Sequence, residues 1–135
     1  MSAPALADVA VGDQLPDLEV GEITRTVLAL FAGASGDHNP IHIDLDVARS
    51  AGLDDVFAHG MLSMAYLGRL LTDWVPVDRI RSYAVRFAAI TPVHATPVCR
   101  GTVTAVDDGT ATLDLSVSLP DGTVTLAGSA VVALT

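Results

Sequence analysis

His59-Gly60-Met61-Leu62-Ser63-Met64-Ala65-Tyr66-Leu67-Gly68-Arg69-Leu70-Leu71-Thr72-Asp73-Trp74 is the stretch that dictates how the rest of the chain is arranged. Read as a helix over about residues 60–74, its polar side chains are Ser63, Arg69, Thr72 and Asp73. Ser63, Tyr66, Arg69 and Asp73 recur at helical spacing and form one narrow stripe. Met61, Leu62, Met64, Ala65, Leu67, Leu70 and Leu71 cover nearly all the remaining girth. A helix apolar around most of its surface must be wrapped by other elements. Pro76, which has no N–H and cannot continue a helix, closes it.

Downstream the period changes from helical to two. Residues 82–90, 98–106, 110–119 and 123–134 read as strands. The third alternates most clearly, with Ala111, Leu113, Leu115, Val117 and Leu119 against Thr112, Asp114, Ser116 and Ser118. Asp107-Asp108-Gly109 and Pro120-Asp121-Gly122 are hairpin turns, so the last three strands form a consecutive antiparallel meander. Upstream, residues 1–16 read as a loose leader and 18–23 as a short strand. Thr24 caps a helix over 25–34, in which Val27, Leu28, Leu30 and Phe31 recur at helical spacing. Asp44 caps a second short helix through Val47 and Ala48 that stops at Gly52. The expectation is one α+β domain over residues 1–135, a curved antiparallel sheet wrapped around a long central helix. A single sheet of this kind leaves edge strands in need of cover, which favours a dimer.

Composition narrows the function. The chain has 135 residues, enough for one domain with a real core. Half of them are apolar and 17% charged, which fits a globular chain rather than a disordered one. A net charge of −9 argues against nucleic acid and against an anionic membrane surface as partners. Five of the seven basic residues, all arginine, lie between Arg69 and Arg100, so positive charge is locally concentrated. The single cysteine, Cys99, permits no internal disulfide and reads as a packed thiol in a strand. The first residues lack the basic and apolar regions of a signal peptide, and no apolar run reaches 18 residues. A cytoplasmic protein is expected.

Chemistry is concentrated in Ser35-Gly36-Asp37-His38-Asn39-Pro40-Ile41-His42. Gly and Pro break regular structure and Asn suits turns, so this is a loop between two apolar helical stretches. Across such a turn Asp37 and His42 can converge on one point. Together they can hold a water, remove its proton and return a proton elsewhere, which is general acid–base work. The same residues also fit a plain role, with Asp37 capping a turn and His42 packed. Spacing by itself leaves both open.

Phe31-Ala32-Gly33-Ala34-Ser35-Gly36-Asp37-His38-Asn39-Pro40-Ile41-His42, followed by Ala48, resembles the hydratase motif of the MaoC-like (R)-specific enoyl hydratases and dehydratases. His59-Gly60-Met61 is similar to the second landmark of that family, and Val85-Arg86-Phe87 to one of its strands. The likeness runs from Val11-Gly12-Asp13 through the last strand. It looks closest to the catalytic subunit of actinobacterial (3R)-hydroxyacyl-acyl-carrier-protein dehydratases. The resemblance implies the hot-dog fold, which agrees with the arrangement reached from periodicity. It further implies reversible syn addition of water to a trans-2-enoyl thioester, giving a (3R)-hydroxyacyl thioester. By position, Asp37 and His42 become the catalytic pair, Asn39 orients the pair or the water, and the Gly60 N–H becomes the oxyanion donor. That N–H sits at the helix start, where unpaired donors favour an enolate-like oxygen, and a side chain there would block close approach.

Other residues carry alternatives. His59 either shapes the oxyanion site or packs before the helix. Phe31, Phe57, Met61, Met64 and Gly68 are core, acyl-pocket lining, or both, with Gly68 leaving room for a longer chain. His38 faces solvent or the pocket, and His94 has no role. Asp37, His38, His42 and His59 fit no familiar zinc spacing, so no metal is expected. No cofactor is implied, because coenzyme A or phosphopantetheine arrives as part of the substrate. Arg69, Arg79, Arg81, Arg86 and Arg100 are available to contact its phosphates. An acyl carrier protein is itself acidic, so the charge leans toward coenzyme A. The competing readings are a hot-dog acyl-CoA thioesterase and one subunit of a heterodimeric dehydratase or acyl-thioester-binding complex.

Overall fold

The computed structural model describes all residues 1–135. The Thr24 hydroxyl accepts from the Val27 N–H at 3.1 Å and starts helix α1, Arg25–Ser35. Gly36, at φ 78°, ends it in a conformation that suits glycine. The Asp44 carboxylate caps α2, Leu45–Ser50, by accepting from Asp46 and Val47. The long central helix is α3, Gly60–Thr72. Five strands, β1 (Leu18–Glu19), β2 (Ile80–Phe87), β3 (Val98–Asp107), β4 (Thr110–Ser118) and β5 (Val124–Ala133), form one antiparallel sheet. Its order is β1-β3-β4-β5-β2, so the expected meander is present and β2 crosses to its far side. The sheet wrapped on α3 is the expected hot-dog arrangement.

Several boundaries differ from the periodicity, each for a physical reason. Strand β1 has two residues rather than six because Pro97, which directly precedes the paired strand β3, has no N–H to donate, and Gly21 at φ 79° turns the chain away. Strand β2 starts two residues early, after a single turn at Val77–Arg79. It ends at Phe87 because the Ala88 and Ala89 N–H groups both bond to the Thr125 carbonyl. Helix α3 stops at Thr72, ahead of Pro76, where the Trp74 and Val75 N–H groups share the Leu71 carbonyl and tighten the last turn.

Two expectations are corrected. The narrow stripe of Ser63, Tyr66, Arg69 and Asp73 is not uniform; Ser63 is 1% exposed. The exposed polar residues of α3 are Arg69 and Thr72, with Asp73 just beyond, paired to Arg69 at 3.8 Å. The leader is not loose. Trp74 Nε1 donates to the Pro4 carbonyl at 2.9 Å, Leu6 and Val9 pack on the core, and Gln14 bridges to Thr102. Leu15 is fully buried, so the segment covers the side of the sheet that the short β1 leaves open.

The core has two parts, and α3 belongs to both. Leu67, Leu70 and Leu71 pack under the sheet against Leu113, Leu115, Leu126 and Val132. Leu62, one turn nearer the helix start, packs instead with Ile23, Leu28, Ala48, Val56 and Ala58. The first turn of α3 therefore lies in the helical layer, beside the polar loop. Cys99 is fully buried in the larger part, and burial pushes its thiol up to about 11, which suits a packed residue. No helix is long and apolar enough to cross a membrane.

Candidate active site

Residues 35–42 fold through a chain of local bonds. The Ser35 hydroxyl accepts from the Asp37 N–H at 3.2 Å, Asp37 Oδ1 from the Asn39 N–H at 3.2 Å, and Asn39 Oδ1 from the Ile41 N–H at 3.1 Å. Each is a short side chain accepting two residues on, the geometry that Ser, Asp and Asn favour. Asn39 thereby caps the turn Pro40–His42, and Pro40 stands where no N–H is needed. The Asn39 amide oxygen is engaged in this cap. Asp37 is exposed and His42 is 8% exposed, so the turn presents one open carboxylate and one enclosed ring.

His42 Nδ1 lies 2.7 Å from the Phe57 carbonyl oxygen. A carbonyl only accepts, so Nδ1 carries the proton and Nε2 presents a lone pair. The Phe57 ring also packs edge-on to His42 at 4.8 Å. His59 stacks on the other side, with ring centroids 4.0 Å apart and planes 29° apart, and its Nε2 lies 3.2 Å from the Asp37 carbonyl. Donor atoms of Asp37, His42 and His59 lie within 4.8 Å of one another. One nitrogen of each ring is already engaged with a main-chain carbonyl, His42 Nδ1 with Phe57 and His59 Nε2 with Asp37. The arrangement suits proton transfer better than metal binding.

His59 is 1% exposed. Burial holds its imidazole below the ordinary value, the neighbouring His42 adds to this, and the bond to the Asp37 carbonyl opposes it. Between the ordinary value and the lower folded one, the unfolded chain takes up a proton that the folded chain does not. Stability is expected to fall as pH is lowered through about 6.5, and less so in His59→Gln. Urea midpoints between pH 8 and 5 check this; parallel curves for the two chains would remove His59 as the cause.

Gly60 opens α3 at its N-terminus, as expected, but the neighbour that excludes a side chain is part of the protein. A Cβ at Gly60 would stand 2.9 Å from two ring carbons of Phe87. The ring is 53% exposed on its other side. Phe57, Ala58, Gly60, Phe87, Ile90 and Leu126 are among the walls of a cavity of about 310 Å³ at this helix start. Gly60→Ala is expected to cost less than about 1 kcal/mol in urea unfolding, because the half-exposed Phe87 ring can swing aside, and Phe87→Ala in the same chain to remove that cost. Strictly additive losses would show that the contact is not responsible.

Of the pocket residues expected from sequence, Phe57 lines this cavity. Phe31 packs edge-on to His59 at 5.0 Å, and His59 contacts the Asp37 main chain rather than the cavity. Met61 is 55% exposed. Met64 is half-buried, and its carbonyl accepts from the Tyr83 hydroxyl at 2.6 Å. Gly68 faces the Tyr83 ring, 3.5 Å from where a Cβ would be, so its small size meets β2 rather than opening a channel. Phe87 was legible only as part of the strand Val85-Arg86-Phe87, and residues 88–91 carried no signal as site residues. His38 faces solvent. His94 pairs with Glu22 at 3.3 Å, away from the site. Arg100 pairs with Asp17, Arg79 and Arg81 donate to main-chain carbonyls, and Arg86 has no side-chain partner.

Residues 11–120 match the MaoC-like domain family. The 3-hydroxyacyl-thioester dehydratase Z of Mycobacterium tuberculosis is 32% identical over 135 residues, covering 93% of this chain and 87% of that protein. Among solved structures, the (R)-hydratase from A. caviae involved in PHA biosynthesis superposes with a TM-score of 0.85 at 26% identity, over 95% of this chain and 98% of that one. A chain of the ChsH1-ChsH2 complex from Mycobacterium tuberculosis gives 0.83 at 26% identity, over 94% and 99%. With its sheet wrapped on α3 and its Asp37–His42 pair set beside the start of that helix, the chain belongs to the MaoC-like dehydratase family.

Proposed function

We propose that the protein is a hydro-lyase that adds water reversibly to trans-2-enoyl thioesters, giving (3R)-hydroxyacyl thioesters. The observation that carries this reading is the contact of His42 Nδ1 with the Phe57 carbonyl, which leaves Nε2 as the acceptor of the neutral ring, grouped with Asp37 beside the start of α3. A water held between Nε2 and the Asp37 carboxylate loses a proton to the pair as its oxygen bonds to C3. The C2–C3 π electrons move toward the thioester carbonyl, whose oxygen takes up enolate character and accepts from the Gly60 N–H. The pair then returns one proton to C2 on the face from which the water came, so one water is consumed and no proton is left over. Dehydration is the same path in reverse. The carrier thiol belongs to the substrate, and the net charge of −9 favours coenzyme A over an acidic carrier protein.

The protein works as a dimer of hot-dog chains in this reading. Strand β2 is an edge with a free side, and Met61, Phe87 and Ile90 are exposed apolar residues on and near it. Loss of enoyl absorbance from crotonyl-CoA and longer enoyl-CoAs tests the activity, and a native mass tests the assembly. A pure dimer inactive on every enoyl-CoA would sink the reading for a chain acting with its own copies.

A further inference from the structure

We infer that His59 is the positioning residue of the Asp37–His42 pair: held as the neutral Nε2–H tautomer, it ties the Asp37 main chain and the His42 ring to the start of α3. The inference rests on the hydratase reading for its kinetic arm only.

His59 stands at the N-cap of α3, yet its side chain caps nothing. Its bonding is directed elsewhere. The Asp37 carbonyl can only accept, so the Nε2 at 3.2 Å is the donor. A neutral imidazole has one N–H, which leaves Nδ1 with a lone pair in need of a donor. Nδ1 is buried without a partner, and so is the hydroxyl of Ser63. Ser63 lies in α3 four positions after the His59 cap, and the two groups make no hydrogen bond to each other. Ser63 does not fold back on the carbonyl one turn below, the usual partner of a helical serine.

The ring is confined by every element around it. Helix α1 brings the uncharged edge of Phe31, the turn Pro40–His42 brings the face of His42, and the loop brings the Asp37 carbonyl. The titratable groups facing it are therefore Asp37 and His42. A proton on Nδ1 would leave a buried N–H without a partner and place a cation face to face with His42. His59 thus ties three parts that must keep register: the main chain of Asp37, the plane of His42 and the first turn of α3 that carries Gly60.

Imidazole nitrogen correlations in the ¹⁵N-histidine-labelled dimer test the tautomer directly. The expected spectrum has His59 as Nε2–H with a bare Nδ1, persisting below the pH at which a free imidazole protonates. An Nδ1–H tautomer, or a protonated ring at pH 6, overturns the inference whether or not the protein hydrates enoyl thioesters. In His59→Leu the Nδ1–H signal of His42 is expected to broaden or move. If it stays sharp and unshifted, His59 does not position that ring. On crotonyl-CoA, His59→Leu is expected to lower kcat by about ten- to a hundredfold with little change in KM, and His59→Gln, which keeps an N–H toward Asp37, to recover most of it. Equal losses in Leu and Gln would make the residue packing alone.

Discussion

Asp37→Asn and His42→Asn are each expected to slow hydration of crotonyl-CoA by about 10²- to 10⁴-fold, with the fold intact. The substitutions are chosen for what they keep. Asn at 37 still offers an Oδ1 to the Asn39 N–H, so the turn survives while the carboxylate is lost. Asn at 42 keeps an N–H for the Phe57 carbonyl while removing the bare nitrogen. Because the two groups handle one water, the double variant is expected to be little worse than either single one. Stopped assays of enoyl absorbance with unfolding curves on the same samples check both halves. Near-full activity in either single variant refutes the pair.

Gly128→Ala is expected to be the most damaging single methyl in the molecule, costing about 4 kcal/mol or more. Gly128 lies in β5, opposite Val85 of β2 and Leu115 of β4. A Cβ there would collide with the Ala84 carbonyl oxygen and stand 2.9 Å from the Val85 Cα. These are main-chain atoms held by the ladder, and unlike the Phe87 ring at Gly60 they cannot swing aside. The conflict is one of space, since Gly128 is not among the positive-φ glycines. Strand β2 should part from β5, seen as a collapse of the urea midpoint and as fast amide exchange confined first to residues 80–87. A loss below about 1 kcal/mol would mean that the strands separate there at little cost.

The elements legible in the sequence are those whose cause is local. Thr24, Asp44 and Gly36 announce helix ends through their own chemistry, and both hairpin turns hold because Gly109 and Gly122 adopt positive φ. Asp37, Asn39 and His42 were legible because the loop is held by bonds between residues two apart. What depends on distant neighbours was not. Nothing near Leu18 reveals that β1 is cut short by Pro97, which directly precedes another strand. Helical spacing placed Ser63 on a polar stripe, yet the stripe is interrupted where the helical layer closes over it. The Phe57 carbonyl, which sets the tautomer of His42, is main chain and leaves no mark in composition. The reason for Gly60 was half legible: no side chain fits, but the obstacle is Phe87, which lies 27 positions on.

The nested bonds of Ser35, Asp37 and Asn39 make the loop portable. Its shape is written in eight consecutive residues, so a graft would carry the bend of the main chain with it. What would not travel is the seat. A recipient scaffold must already offer a carbonyl to receive the His42 N–H and a ring to stack on its far face, as Phe57 and His59 do here. A transplant into a scaffold lacking them should reproduce the turn and leave the imidazole free to rotate.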